Sequence, residues 1–180
     1  MAEFEATRLK LKDGHTWSSK PGYKIFVLDS GALRFDIPQD WVVEPGETSV
    51  RFYDRRPPDD NCRLEVSLLA HSQFDWKGLP LDQLLRDLVG GPGEQIRDVR
   101  HASRPGVNIA WAEKVFIDPQ ENRPAHSRIA VVRGINAHAL LTLDFWAADA
   151  ERVVPVWDEV VRSLDMGLKV RDPALGEQRM

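Results

Sequence analysis

The stretch Leu33-Arg34-Phe35-Asp36-Ile37-Pro38-Gln39-Asp40-Trp41 alternates apolar and charged residues, then stops at a proline ahead of a tryptophan. Leu33, Phe35 and Ile37 point one way and Arg34 and Asp36 the other, the period of a strand with one wet face. Pro38 has no amide hydrogen with which to continue a ladder, so the strand ends there. Far along the chain, Trp157-Asp-Glu-Val-Val-Arg-Ser-Leu-Asp165 reads with helical spacing. The two stretches bracket one α+β domain.

Working outward, the same alternation recurs at 62–71, where Leu64, Val66, Leu68 and Ala70 oppose Arg63, Glu65 and Ser67. Half-wet strands belong to antiparallel sheets, because strands covered on both faces read as unbroken apolar runs. Further strands are expected at 24–28, 49–53, 107–117, 127–133 and 138–146, with another at 95–101. Asp29-Ser30-Gly31 and Gly134-Ile135-Asn136 supply tight turns. The polar run 118–124, with two prolines and an asparagine, is a surface connection.

Two helices complete the pattern. One opens at Pro80, carries Leu81, Leu84, Leu85 and Leu88 on one stripe and stops at Gly90-Gly91. The other runs from Asp149, a suitable N-cap, to Leu164, with Val153, Val156, Trp157, Val160, Val161 and Leu164 on one side. Pro155 inside it should kink the helix or delay its start. The expected architecture is a mostly antiparallel β-sheet, a single pleated layer, with helices packed on it. Residues 1–22 form an N-terminal arm or an added edge strand, 23–166 a single domain, and 167–180 a loose tail.

A chain of 180 residues fits one core without staples, burying roughly 70% of its unfolded surface. The lone Cys62 has no internal disulfide partner, and no Cys/His cluster has zinc spacing. The 24 basic and 28 acidic residues give a net charge of −4 and interleave along the chain, which argues against nucleic-acid binding. No stretch approaches the roughly 20 apolar residues of a membrane span, and residues 1–17 lack the apolar core of an export signal. The expectation is a cytoplasmic protein.

The order of elements, the strand-Pro-x-x-Trp opening at Phe35–Trp41, the helix Leu81–Leu88 after the third strand, and the closing helix with its Val-Val-Arg-Ser-Leu ending resemble the Mog1/PsbP-like fold, including its bacterial DcrB-like branch. The resemblance covers Tyr23 to Asp165. It implies a largely non-enzymatic protein, since members bind a small GTPase, a photosystem or secreted effectors as adaptors.

The residues themselves offer few centres for chemistry. Asp54, Arg55, Arg56, Asp59 and Asp60 concentrate charge in a Pro-stiffened loop that ends at Asn61. That loop could approach a hard cation such as calcium or meet a partner, but it lacks the spacing of a calcium-binding loop. Phe74 and Trp76 lie on a loop before the first helix, where large aromatics serve either as interface anchors or as a lid over the core. Trp17 sits in a polar arm. His15, His71, His101, His126 and His138 are scattered, although adjacent strands could bring His126 and His138 together. Cys62 reads as a small buried residue, and the glycines at 90–93 end a helix where a phosphate cradle would open one. The expectation is therefore a non-catalytic protein-interaction or adaptor module with no cofactor and no metal, with a protein partner or a second copy as its ligand. The alternative is a small-ligand-binding protein or enzyme with a cleft near His126 and His138.

Overall fold

A computed structural model describes residues 4–70, 78–91, 98–135, 137–168 and 170–176. The elements are β1 (Tyr23–Leu28), β2 (Leu33–Pro38), β3 (Val42–Pro45), β4 (Val50–Tyr53), β5 (Cys62–Ala70), α1 (Leu81–Val89), β6 (Arg100–Arg104), β7 (Val107–Ile117), β8 (Pro124–Arg133), β9 (Ala137–Trp146), α2 (Ala150–Ser163) and β10 (Asp165–Met166). Every strand pairing is antiparallel. The α+β architecture is the one that the alternation predicts.

The strands divide into two sheets, a departure from the single layer expected. β1-β2-β10 form a small sheet, and β3-β4-β5-β9-β8-β7-β6 a large one. The division follows from β2 taking β10 as its second neighbour, at Leu33 and Arg34. β3 turns away after Trp41 to pair β4. β3 and β10 carry too few residues to show a period, and β6 at Arg100–Arg104 overlaps the end of the strand expected at 95–101, of which 95–97 lie outside the described residues.

The small sheet and α2 share one face of the large sheet. Leu33, Phe35 and Ile37 of β2 meet Val50 and Phe52 of β4, Leu64 and Val66 of β5, and Val153, Trp157 and Val160 of α2 in one core. Phe26, Phe35 and Phe52 interlock with centroids 4.8–5.4 Å apart. Phe35 and Phe52 are fully buried, each contributing about 1.5–3 kcal/mol, while Phe26 is partly buried against them. α1 covers part of the opposite face, setting Leu84, Leu85 and Val89 on Ala110, Ala112 and Val131. α2 runs through Pro155 as one helix after a 3-10 turn at Ala147–Asp149. The side chain of Asp149 makes no cap bond and instead pairs with Arg152 at 3.1 Å. Pro80 stands just before α1, and its carbonyl accepts the Leu84 N–H.

Among the described residues the two ends of the chain are tied together, the N-terminal stretch running as an arm against residues 172–176. Lys12 and Thr16 donate backbone N–H groups to Ala174 and Leu175 at 3.0 and 2.8 Å. Trp17 is buried and donates its indole N–H to Pro173 O at 2.8 Å. Arg34 lies 5.1 Å over the Trp17 ring and donates to Ser18 O. The arm thereby roofs the charged side of β2, so that Asp36, read as solvent-facing, is only 1% exposed.

Candidate functional site

At one end of the large sheet three connections converge: 54–61 between β4 and β5, 118–123 between β7 and β8, and the turn from β9 into α2. The register places Cys62, Phe145, His126 and Val115 in one row across β5, β9, β8 and β7. One step further in, Leu143, Arg128 and Glu113 form the next row. Because alternation is strict, both rows lie on the face that carries α2.

Glu113 ties this corner together. Its Oε2 accepts Arg128 Nε–H at 2.5 Å, and its Oε1 lies 3.1 Å from His126 Nδ1. Burial pushes the Glu113 carboxyl up, but the hydrogen bond and charge of Arg128, aided by His126, prevail and hold it below the usual carboxylate range. An ionised carboxylate only accepts, so His126 donates to it from Nδ1, which in the neutral imidazole leaves the lone pair on Nε2. The imidazole stacks on Phe145, with centroids 5.2 Å apart. The Arg128 side chain is 9% exposed, lies 5.0 Å from the Trp111 ring centroid, and has Asp158 Oδ1 at 3.8 Å from Nη1. Trp111 meets Trp157 edge-on at 5.5 Å and carries Arg100 at 5.0 Å. In the tautomer that donates from Nδ1 to Glu113, such a corner can accept a hydrogen bond at His126 Nε2.

Beside it lie apolar side chains that the fold does not bury. Val115 is 65% exposed and Ile117 58%, both on the α2 side, while Phe116 is partly exposed on the opposite face. On that opposite face Arg123 stacks on Trp146 at 4.3 Å, and Asp144 accepts Ser127 Oγ–H at 2.6 Å and Arg63 at 3.1 Å.

The residues singled out from the sequence fall into separate places. Asp54 is internal: its Oδ1 accepts the N–H groups of Asn61 and Cys62 at 2.9 and 3.2 Å, and its Oδ2 accepts Arg152 at 2.8 Å. Arg55, Arg56 and Asp59 are exposed and Asp60 is half-buried. Among the described residues no group of three or more His, Cys, Asp or Glu side chains is arranged to hold a metal ion. Cys62 is buried, and burial first, then Asp54, pushes its thiol up to about 12, so it is inert as a nucleophile. Phe74, Trp76 and His71 lie outside the described residues. The length of β5, about 27 Å at the usual rise, separates the 54–61 loop from the point where the chain enters 71–77.

His126 and His138 do not share a cleft. His126 faces Phe145 and His138 faces Arg133, which puts them on opposite faces and seven positions apart along β8. His138 is buried and accepts the Arg133 Nε–H at 3.1 Å. Sequence reading missed the pairing of Glu113 with His126 and Arg128 because it depends on hairpin register. The signal available was the 118–123 loop: once Ile117 faces Pro124, Glu113 must face Arg128.

A profile of the Alr1449 family matches residues 24–170 of the chain. The "Uncharacterized protein alr1449" of Nostoc sp. (strain PCC 7120) is 45% identical over 172 residues, covering 93% of this chain and 90% of that protein. A crystal structure from Bacteroides thetaiotaomicron VPI-5482 superposes with a TM-score of 0.58 at 17% identity, over 81% of this chain and 49% of that one. The solution structure of cyanobacterial PsbP (CyanoP) from Synechocystis sp. PCC 6803 gives 0.55 at 13% identity, over 84% and 99%. The fold is thus PsbP-like, as the opening strand and closing helix led us to expect. No described helix is long and apolar enough to cross a membrane.

Proposed function

We propose that this chain, which belongs to the Alr1449 family, is a cytoplasmic, non-catalytic protein-interaction module whose contact surface is the end of the large sheet where β7 and β8 meet. One observation carries the reading: Val115 and Ile117 project, exposed, from the end of β7, which β8 pairs on one side through Ile117 while the described pairing with β6 stops at Trp111. Rigidly held apolar side chains at a sheet end lose little entropy when a partner covers them. The loop residues Arg55, Arg56, Asp59 and Asp60 border the same end, where Asp54 fixes the loop and leaves its outer side chains available. The sequence adds Phe74 and Trp76 as a further contact.

Affinity capture with the tagged chain, compared with V115D/I117D for the sheet end and, separately, with F74A/W76A for the added contact beyond the far end of β5, tests the proposal. Loss of a reproducible protein partner with an unchanged Tm supports it. Identical capture by all three proteins removes this surface from consideration. A second reading, a small-ligand site at His126, is favoured by the orientation that Glu113 imposes on the imidazole. A thermal-shift screen against metabolites and divalent metals separates the two, since a hit abolished by H126A belongs to the ligand reading alone.

A further inference from the structure

We infer that Val115, Ile117 and His126, together with the adjoining flank of α2, form a shelf that docks a partner segment carrying apolar side chains next to lysine or arginine. The inference rests on the interaction reading above and names the chemistry of the partner. Val115 and His126 are directly paired neighbours on β7 and β8, and the ladder continues past them to Ile117 and Pro124, so the floor is rigid. Phe145 backs the imidazole from the next strand. Asp158 approaches Arg128 to 3.8 Å, which places that flank of α2 along the shelf. Glu151 is exposed on the same stripe two turns earlier.

The charges around these apolar side chains are unbalanced. Glu113, Glu151 and Asp158 line the shelf, and Asp118 and Glu121 stand in the connection that begins at Ile117. Of the cations on this side, Arg128 is buried and already met by Glu113, Arg100 stacks on Trp111 one row further in, and Arg55 and Arg56 are matched in number by Asp59 and Asp60 of their own loop. Lys114 alternates to the other face, and Arg123 is stacked on Trp146 there. A negative rim around an apolar floor attracts a cationic segment and repels an acidic one. His126 Nε2 adds an acceptor for an ammonium or guanidinium N–H.

The test titrates the full chain, 15N-labelled, with two synthetic peptides that share alternating leucines and differ only in lysine or glutamate between them. The expected result is a saturable shift of the Val115, Ile117 and His126 amides with the lysine peptide, weakened by added salt, and no response to the glutamate peptide. Neutralising the wall with E151Q/D158N should weaken binding about fivefold, as two partly screened ion pairs would. V115D should weaken it tenfold or more with Tm unchanged. Equal response to both peptides, response confined to other amides, or no response overturns the inference. So do concentration-dependent shifts of these amides without peptide, which would assign the shelf to a second copy. If the lysine peptide fails while V115D/I117D still loses its captured partner, only the partner chemistry falls. If the double variant also captures normally, the interaction reading falls with it.

Discussion

Gly176 packs against Trp17 so closely that a Cβ added to it would lie 2.6 Å from the indole nitrogen, and its φ of +71° is one that side chains disfavour. The backbone of one terminus thus serves as the wall of the pocket for an aromatic from the other. G176A must move either the ring or the tail, at a cost of about 1–2 kcal/mol for the backbone angle alone. The expected outcome is a red-shifted, more quenchable Trp17 emission and a lower Tm. G14A is the control: its φ is +79° with nothing within 4 Å of the added carbon. It should leave the Trp17 emission in place.

Asp36 sits beneath the arm with Oδ1 3.4 Å from Arg34 and Oδ2 without a hydrogen bond. Burial raises its carboxyl above the ordinary aspartate value, with Glu159 adding to the rise, and Arg34, Arg162 and the Lys20 amide only partly offset it. The folded protein therefore holds this proton more tightly than the unfolded chain does. Its stability contribution is fully present below the unfolded value and is lost as pH rises through the folded one. D36N does not titrate, so it should gain on the wild type as pH climbs from acid toward neutral. Urea unfolding across that range measures the difference; a gap that widens in the opposite direction refutes the assignment.

Legibility from the sequence tracked how local each feature is. β2, β5, β7, β9 and both helices were readable because side-chain period is a local property, and each element is long enough to display it. β3 and β10 escaped because four and two residues show no period. The division into two sheets escaped because it depends on β10 reaching β2 across more than a hundred positions. Asp36 and Trp17 were misplaced for one shared reason: alternation says which residues lie opposite the core, not whether the chain returns to roof that side. The Glu113–His126–Arg128 corner needed a register that no single strand encodes, whereas the exposure of Arg55 and Arg56 followed directly from a stiff, polar loop.

Glu113 should show the opposite pH behaviour to Asp36. Although burial pushes its carboxyl up, Arg128 and His126 hold it lower still, so it favours folding once ionised. That contribution is present above the unfolded glutamate value and lost as pH falls through the folded one. E113Q keeps an acceptor for Arg128 but not the charge, and should cost about 1–2 kcal/mol at neutral pH, the scale of a charge-assisted hydrogen bond. Its deficit should shrink in acid. Without a carboxylate at Nδ1, the His126 tautomers should also redistribute, which 15N shifts of the ring report. Unchanged stability and unchanged ring shifts would show that the pair does not orient the imidazole.

Asp54 and its neighbours Arg55 and Arg56 separate what holds the loop from what the loop offers. The Asp54 side chain is 4% exposed and accepts from Asn61, Cys62 and Arg152. D54A would strand two backbone N–H groups and a guanidinium that is also held by Asp149, at a cost of about 3 kcal/mol. D54N retains an acceptor for the two amides and loses only the charge toward Arg152, so it should cost about 1 kcal/mol. R55A and R56A remove exposed side chains and should stay within about 0.5 kcal/mol. Chemical denaturation of the four variants orders them. Arginine variants as unstable as D54A would mean that the guanidinium groups are structural and unavailable to a partner, which would remove the loop from the proposed contact surface.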